Sequence, residues 1–334
     1  MGLFKHDPNH IVSSNDELQS ELNKKNKVKP GDTISLMLPI DGKKYSELFY
    51  VPSLLNFKGC EAGVTFENFN YPIYEYEKEL SLNFDNIGFC KNKDIMLRTK
   101  NTYENCFFNF SENSFWGVRP YKGKASAVFT NCTFCDVPKP KVMKDSSVSF
   151  YLQGAIDVTF DSCTFSDMHD ANAIIVQPRF NNYVQSHTKV IFNNCTFKDT
   201  ECCLRVQLDS EVEFNNCTFT NNIQTIIGSE NAKITMNNCT VNDFEGIRQM
   251  NNAAFTLTNC KLSNSVTAEK PQNVIIDGKT LDQIQASASL TPPKASEPPV
   301  VSTSSTESAG DCCPSCGAKL KPNAKFCMNC GAKL

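Results

Sequence analysis

Between residues 189 and 262 one pattern of apolar and polar positions is written four times. Residues 190–197 read VIFNNCTF, 212–219 VEFNNCTF, 234–241 ITMNNCTV and 255–262 FTLTNCKL, with their cysteines 22, 22 and 21 residues apart. Each unit runs apolar, any, apolar, any, Asn, Cys, any, apolar. That is two short strands of alternating residues, broken at an asparagine, a residue type that tolerates left-handed backbone angles. Helical repeats of this length would show a 3.6-residue period, and these units do not. A fixed period near 22 predicts a solenoid, because one such unit cannot bury its apolar face alone and must stack on its neighbours. Stacking in parallel register sets equivalent residues about 4.8 Å apart. It predicts an inward ladder of Cys195, Cys217, Cys239 and Cys260, a second of Phe197, Phe219, Val241 and Leu262, and a corner ladder of Asn194, Asn216, Asn238 and Asn259.

These repeats resemble the right-handed parallel β-helix family, the pectate-lyase-like superfold. The resemblance implies an all-β solenoid of about ten coils spanning residues 30–285, with an N-terminal segment and capping helix over residues 1–29. The residues of that segment agree. Ser14 and Glu17 have capping-box spacing, Leu18 and Leu22 follow at helical spacing, and the basic run Lys24, Lys25, Lys27 suits a helix end. Upstream of the regular coils the template continues with Phe69, Ile87, Cys106, Cys132 and Cys163 in the cysteine slot, and downstream residues 274–279 make a degenerate last coil. Surplus residues fall at 119–125, 135–144 and 178–187, on three consecutive coils. A solenoid places such insertions in loops, and loops of this kind commonly wall a groove.

Alternation also locates the third strand of each coil. With Phe115, Phe150, Ile174, Leu204, Ile226 and Ile247 inward, one outward row holds Trp116, Tyr151, Ile175, Arg205, Ile227 and Arg248. The next holds Val118, Gln153, Gln177, Gln207, Ser229 and Met250. The resemblance places the chemistry of the family's enzymes on this face: acidic residues around calcium with an Arg or Lys base in the lyases, several Asp residues in the hydrolases. Such reactions need clustered carboxylates. Neither row contains Asp or Glu. The nearest acids, Asp170, Asp199, Glu201, Asp209, Asp243 and Glu245, fall in flanking turns, with His169 beside Asp170. Trp116, Tyr151, Gln153, Gln177, Arg205, Gln207 and Arg248 instead form a candidate strip for protein or carbohydrate.

Forty per cent hydrophobic residues suit a globular chain, and a net charge of -3 gives no electrostatic reason to expect nucleic acid as a partner. The first residues carry no long apolar run, so neither a signal peptide nor a membrane span is expected. Seventeen cysteines could suggest a disulfide scaffold. Ladder cysteines that share one inward row, and four more at metal-ligand spacing, point instead to free thiols and a cytoplasmic location.

From residue 286 to 311 the composition turns to Ser, Thr, Pro, Ala and Glu, which predicts a disordered linker. Residues 312–334 follow with Cys313, Cys316, Cys327 and Cys330 in two Cys-x-x-Cys pairs, a Gly after each. Paired thiolate knuckles give a closed tetrahedral site for one structural Zn²⁺. The stretch resembles the bacterial zinc-ribbon family; Cys312 lies one residue outside the motif. Two functions follow from these readings. One is a non-enzymatic binding or scaffold protein using the β-helix face and the tethered ribbon. The alternative is a polysaccharide lyase or glycoside hydrolase of the β-helix class.

Overall fold

The computed structural model describes residues 7–23, 28–42, 53–61, 63–68, 81–91, 100–111, 116–118, 124–138, 150–170, 173–180, 183–184, 188–263 and 266–289. Three sheets of stacked strands form a parallel solenoid of about nine turns. The first sheet has thirteen strands, the second ten and the third seven. In the regular coils the chain passes through all three in turn, as in Glu211–Asn215, Thr218–Thr220 and Gln224–Gly228. Each strand pairs in parallel with its counterpart one coil away, Phe192 with Phe214 and Phe214 with Met236 on the first sheet, Phe197 with Phe219 on the second.

The core follows from that register. On the first sheet Phe57, Phe84, Tyr103, Phe129, Phe160, Phe192 and Phe214 stack ring on ring, with centroids 4.7 to 5.3 Å apart. On the second, Phe89, Phe108, Phe134, Phe165, Phe197 and Phe219 do the same at 4.6 to 4.9 Å. The two columns meet edge to face, as Phe192 does with Phe197 at 5.4 Å and 68°. Offset stacks along each column and T-shaped contacts between them are the two arrangements that ring quadrupoles favour. The column of rings ends at Met236 and Val241, where aliphatic side chains take over.

Between these columns runs the thiol row. Each Sγ donates to a carbonyl of the preceding coil: Cys132 to Tyr103, Cys163 to Phe129, Cys195 to Phe160, Cys217 to Phe192, Cys239 to Phe214 and Cys260 to Met236, at 3.4 to 3.6 Å. Hydrogen bonds among the thiols push Cys132 and Cys195 well up and pull Cys163 and Cys217 down. Burial opposes ionisation at every one of them, and with no cation in the core it governs the row as a whole. The thiols behave as small hydrophobes.

At the corner before Cys106, Cys132, Cys195, Cys217, Cys239 and Cys260, the residues Asn105, Asn131, Asn194, Asn216, Asn238 and Asn259 all take φ between 52° and 55°, and Ser162 takes φ 57° before Cys163. Their amides stack along the solenoid, Asn131 Nδ2 on Asn105 Oδ1 at 2.7 Å and Asn259 Nδ2 on Asn238 Oδ1 at 2.8 Å. The asparagine one position earlier makes its own ladder, Asn215 to Asn193 at 3.0 Å and Asn237 to Asn215 at 2.9 Å.

Three expectations about the ends need correction. The first sheet begins at Asn9–Val12, which pairs with Thr33–Leu36, so the solenoid starts before residue 30. The helix Asn15–Asn23 lies between these strands, with Leu18 and Leu22 buried in the common core. Ser14 Oγ accepts from the Glu17 N–H, while the Glu17 carboxylate takes the N–H of Ser13 rather than Ser14. Secondly, Val64 rather than Phe69 occupies the cysteine slot: Thr65–Glu67 pairs with Gly88–Cys90 on the second sheet, and the Val64 carbonyl accepts from Gly88 as Cys106 does from Thr133. Residues 54–59 supply the first-sheet strand of that coil. Both stretches read apolar, any, apolar before a polar corner, and the pattern alone does not separate them. Thirdly, Val274–Ile276 and Lys279–Thr280 close the first sheet as an antiparallel hairpin through Asp277 and Gly278, both at positive φ. A two-residue turn with left-handed angles suits the twist of such a hairpin. The helix Leu281–Ser289 then runs past residue 286, because Leu, Gln and Ala outweigh the serines that read as linker.

Candidate functional site

The third sheet is where the expected binding strip lies. It stacks Trp116–Val118, Phe150–Gln153, Ile174–Gln177, Cys202–Val206, Gln224–Gly228, Ile247–Gln249 and Thr267–Ala268. Tyr151 pairs with Ile175, Ile175 with Arg205, Arg205 with Ile227 and Ile227 with Arg248, which gives the outward row expected for those five. Gln153 pairs with Gln177. The backbone bonds from Gln207 to Val176, Ser229 to Val206 and Met250 to Gly228 then extend that second row through Gln207 and Ser229 to Met250.

At the first strand the backbone register differs by one residue from the expectation. Trp116 pairs with Phe150 and Val118 with Leu152, both fully buried, so Gly117 is the neighbour of Tyr151. Val118 is itself fully buried. A slip of one residue exchanges the two faces of a strand. Two aromatic residues stand side by side in the sequence at 115 and 116, so hydrophobicity alone does not fix the phase of this strand. Tyr151, Gln177, Arg205 and Gln207 are half-buried, Gln153 is buried and Arg248 is exposed.

Of the three inserted loops, residues 139–144 and most of 119–125 lie outside the described residues, while Arg179–Phe180 and Tyr183–Val184 form a short antiparallel pair within 178–187. The zinc-ligand candidates Cys313, Cys316, Cys327 and Cys330 also lie outside them. Among the described residues no group of three or more His, Cys, Asp or Glu could hold a metal ion.

The turn acids divide. Asp170 and Asp243 are buried, whereas His169, beside Asp170, is exposed. Asp243 lies in a closed polar cluster: its Oδ1 accepts from the Asn222 N–H at 3.1 Å and the Asn222 amide at 2.9 Å, and its Oδ2 from the Thr225 hydroxyl at 2.7 Å. Asn222 Oδ1 in turn accepts from Thr200 Oγ1, which lies 3.2 Å from the Cys203 thiol. Burial pushes the Asp243 carboxyl above the usual range, against those hydrogen bonds. Glu201 and Glu245, with Arg205, surround Cys202 closely enough to act on it electrostatically, although burial dominates and pushes this thiol up to about 12. Cys202 and Cys203 are both buried and both raised, which removes the nucleophilic character a vicinal redox pair would need.

Sequence reasoning missed what lies over the Asp243 cluster. Ile223 is 48% and Phe244 71% exposed, on adjacent coils and in register through the bond from the Phe244 N–H to the Asn222 carbonyl. At this corner the polar residues Asn222 and Asp243 point in and the apolar ones point out. The signal was present as N-I-Q and D-F-E after the second strand. It was hidden because the Asn221 corner, at φ 59°, carries one residue more than the coil that follows, so counting from Cys217 and Cys239 does not align the two.

The family model described as right handed beta helix region matches residues 81–225 and 183–287, and that described as zinc-ribbon domain matches 313–334. The comparison with curated proteins found no match. Stacked parallel coils, their asparagine corners and the span of the match together place this chain in the right-handed β-helix family, with a zinc-ribbon domain at its C-terminal end.

Proposed function

We propose that the chain is a cytoplasmic, non-enzymatic binding or scaffold protein, whose third-sheet face engages one partner and whose ribbon engages another. The observation that carries this reading is the composition of the two outward rows. They present Tyr151, Arg205 and Arg248 with aliphatic and amide neighbours, and among the described residues their one carboxylate is Glu269, at the end of the second row beside Met250. Tyrosine and arginine are the residues that dominate protein recognition surfaces, whereas uronate chemistry needs clustered acids. The described cysteines are free thiols, which suits a reducing compartment. Tyr151→Ala and Arg205→Ala should weaken partner binding at least tenfold, with melting temperatures close to wild type. Unchanged binding in both would move the site to another surface.

A second reading draws on Glu201 and Glu245 near Arg205. Those acids stand two coils apart, about 10 Å between backbones, a spacing that an inverting hydrolase could use. Cleavage of oligosaccharides that disappears in Glu201→Gln and Glu245→Gln would establish the enzyme and displace the binding reading.

The ribbon holds one structural Zn²⁺ through Cys313, Cys316, Cys327 and Cys330. Four thiolates fill a tetrahedral shell and leave no position for water, so the metal has no catalytic role. A segment this short has too little core to fold alone, and metal binding on the order of 10–16 kcal/mol is its folding energy. Elemental analysis of the full chain should give one zinc per molecule. Finding none, or finding the metal retained after all four cysteines become serine, refutes the assignment.

A further inference from the structure

We infer that the thiol seam is a binding site for a soft, closed-shell, two-coordinate cation of the Hg²⁺ class, held as a linear bridge between Cys239 and Cys260. From Cys106 to Cys260 the seam carries one cysteine per coil, each a free thiol. Every Sγ lies 3.3 to 3.6 Å from two carbonyl oxygens, one belonging to the residue two positions earlier and one to the preceding coil. This repeated pair of contacts fixes each sulfur at the same place in its coil. Sulfur therefore follows sulfur at the coil spacing, about 4.8 Å.

That spacing selects what can join two of these sulfurs. A disulfide needs Cβ atoms about 3.5–4.5 Å apart and sulfurs about 2.05 Å apart, closer than stacked coils bring them. A tetrahedral metal with bonds of about 2.3 Å sets its sulfurs about 3.8 Å apart and needs four ligands, which a single row does not converge. A linear unit with two bonds of that length spans about 4.6 Å, and thiolate is the ligand that soft cations select. Charge then chooses among the soft cations. Burial between the apolar columns opposes a free thiolate, but one Hg²⁺ with two thiolates is electroneutral, whereas Ag⁺ or Cu⁺ in the same place leaves a negative charge buried. In the binding step two S–H bonds break, two Hg–S bonds form and two protons pass to solvent, with no change of oxidation state. The only hydrogen bonds given up are those of weak S–H donors. Entry is at the end of the row, where Cys239 is 1% exposed but Cys260, before the terminal strand of the second sheet, is half-buried.

The test uses the full-length chain with Cys313, Cys316, Cys327 and Cys330 changed to serine, so that the ribbon does not compete for the probe, HgCl₂. After one equivalent of Hg²⁺ and dialysis against about a tenfold excess of glutathione, this parent chain should keep about one mercury per molecule. A single exposed thiol such as Cys60 loses the ion by exchange, whereas two thiols held in place by the fold act as one chelate. X-ray absorption should find two sulfur neighbours at about 2.3 Å and no third. Cys239→Ala leaves Cys260 without its partner, and Cys260→Ser leaves only fully buried pairs; each should retain at least tenfold less mercury, while Cys60→Ser retains as much as the parent. Circular dichroism of each variant checks the fold, and Cys260→Ser, at a half-buried position where the hydroxyl can still donate to the Met236 carbonyl, decides the matter if Cys239→Ala does not fold. Cd²⁺, which takes four ligands, should be lost in the same dialysis. Loss of mercury from the parent, retention by Cys260→Ser, or three or more sulfur neighbours around the metal overturns the site.

Discussion

The wall where the first and second sheets meet and the wall formed by the third sheet are built from the same coils, yet they differ in what holds them. The first is periodic to the residue: rings stack at nearly constant spacing, thiols point into one seam and asparagines turn one corner. Among the described residues the third sheet has neither an aromatic column nor a constant corner, and the turn into Gln224–Gly228 encloses a polar cluster beneath exposed Ile223 and Phe244. The contrast separates two tasks. Repetition secures stacking, since each added coil meets the same neighbours on both sides. In the coils from Cys195 to Cys260, the turn into the third sheet departs most from repetition, beside the outward rows that hold the candidate partner contacts.

The largest effect expected from this contrast is that one charge unfolds the periodic wall and is tolerated on the other. Phe219 is fully buried between Phe197 and Phe214. Phe219→Asp removes contacts worth about 3–5 kcal/mol and leaves a buried carboxylate that costs several more, against a total stability of roughly 5–15 kcal/mol. The variant should not fold. Tyr151→Asp, on the outward row, should give a folded chain with the wild-type circular dichroism spectrum. Equal behaviour of the two would erase the distinction between the walls.

How far the sequence reveals each wall follows the same division. The coils from Cys195 to Cys260 were legible residue by residue, because a ladder of identical side chains repeats one answer until the register is over-determined. The zinc-ribbon domain was legible as a motif, through the spacing of its cysteines. Val64 was misplaced by the pattern because its coil lacks the Asn-Cys pair, and Trp116 because an aromatic neighbour left the phase of a three-residue strand undetermined. The strand Asn9–Val12 opens with Asn9 and His10 before its two apolar residues, and the carboxylates of Glu21 and Asp32 face the His10 ring at 3.0 and 3.2 Å. The outward Ile223 and Phe244 violate the rule that locates apolar residues inside, and that rule cannot find its own exceptions.

A middle-sized effect sharpens the comparison at the corner. Asn131 sits at φ 52° and donates to Asn105 at 2.7 Å. Asn131→Ala loses the hydrogen bond and places a residue without local compensation in the left-handed region, together about 2 kcal/mol. Asn131→Gly relieves the backbone and loses only the bond, about 1 kcal/mol. Gln207→Ala on the third sheet should stay within about 0.5 kcal/mol. Urea unfolding midpoints should therefore fall in the order Gln207→Ala, Asn131→Gly, Asn131→Ala. Reversal of the glycine and alanine variants would show that the amide ladder, not the backbone angle, selects asparagine.

The smallest effect is a dependence on pH carried by the polar corner, and its sign is fixed by burial. Because Asp243 is raised in the folded chain, the unfolded chain gives up this proton more readily. Its contribution to stability is complete below the ordinary carboxylate range near 4 and is lost as pH rises through the higher folded value. Asp243→Asn keeps the shape: its carbonyl can accept from Asn222, and its amide can donate to the Thr225 hydroxyl, which reverses its role. The variant removes the ionisation without opening a cavity. Thermal melts of both proteins should run closest at pH 4 and separate toward neutrality, the asparagine variant becoming relatively more stable. The wider walls of the solenoid are unaffected by this change, so the difference isolates the corner. A gap that narrows with rising pH would mean that the hydrogen bonds from Asn222 and Thr225 hold the carboxylate ionised, and that the inverted corner encloses a stable charge.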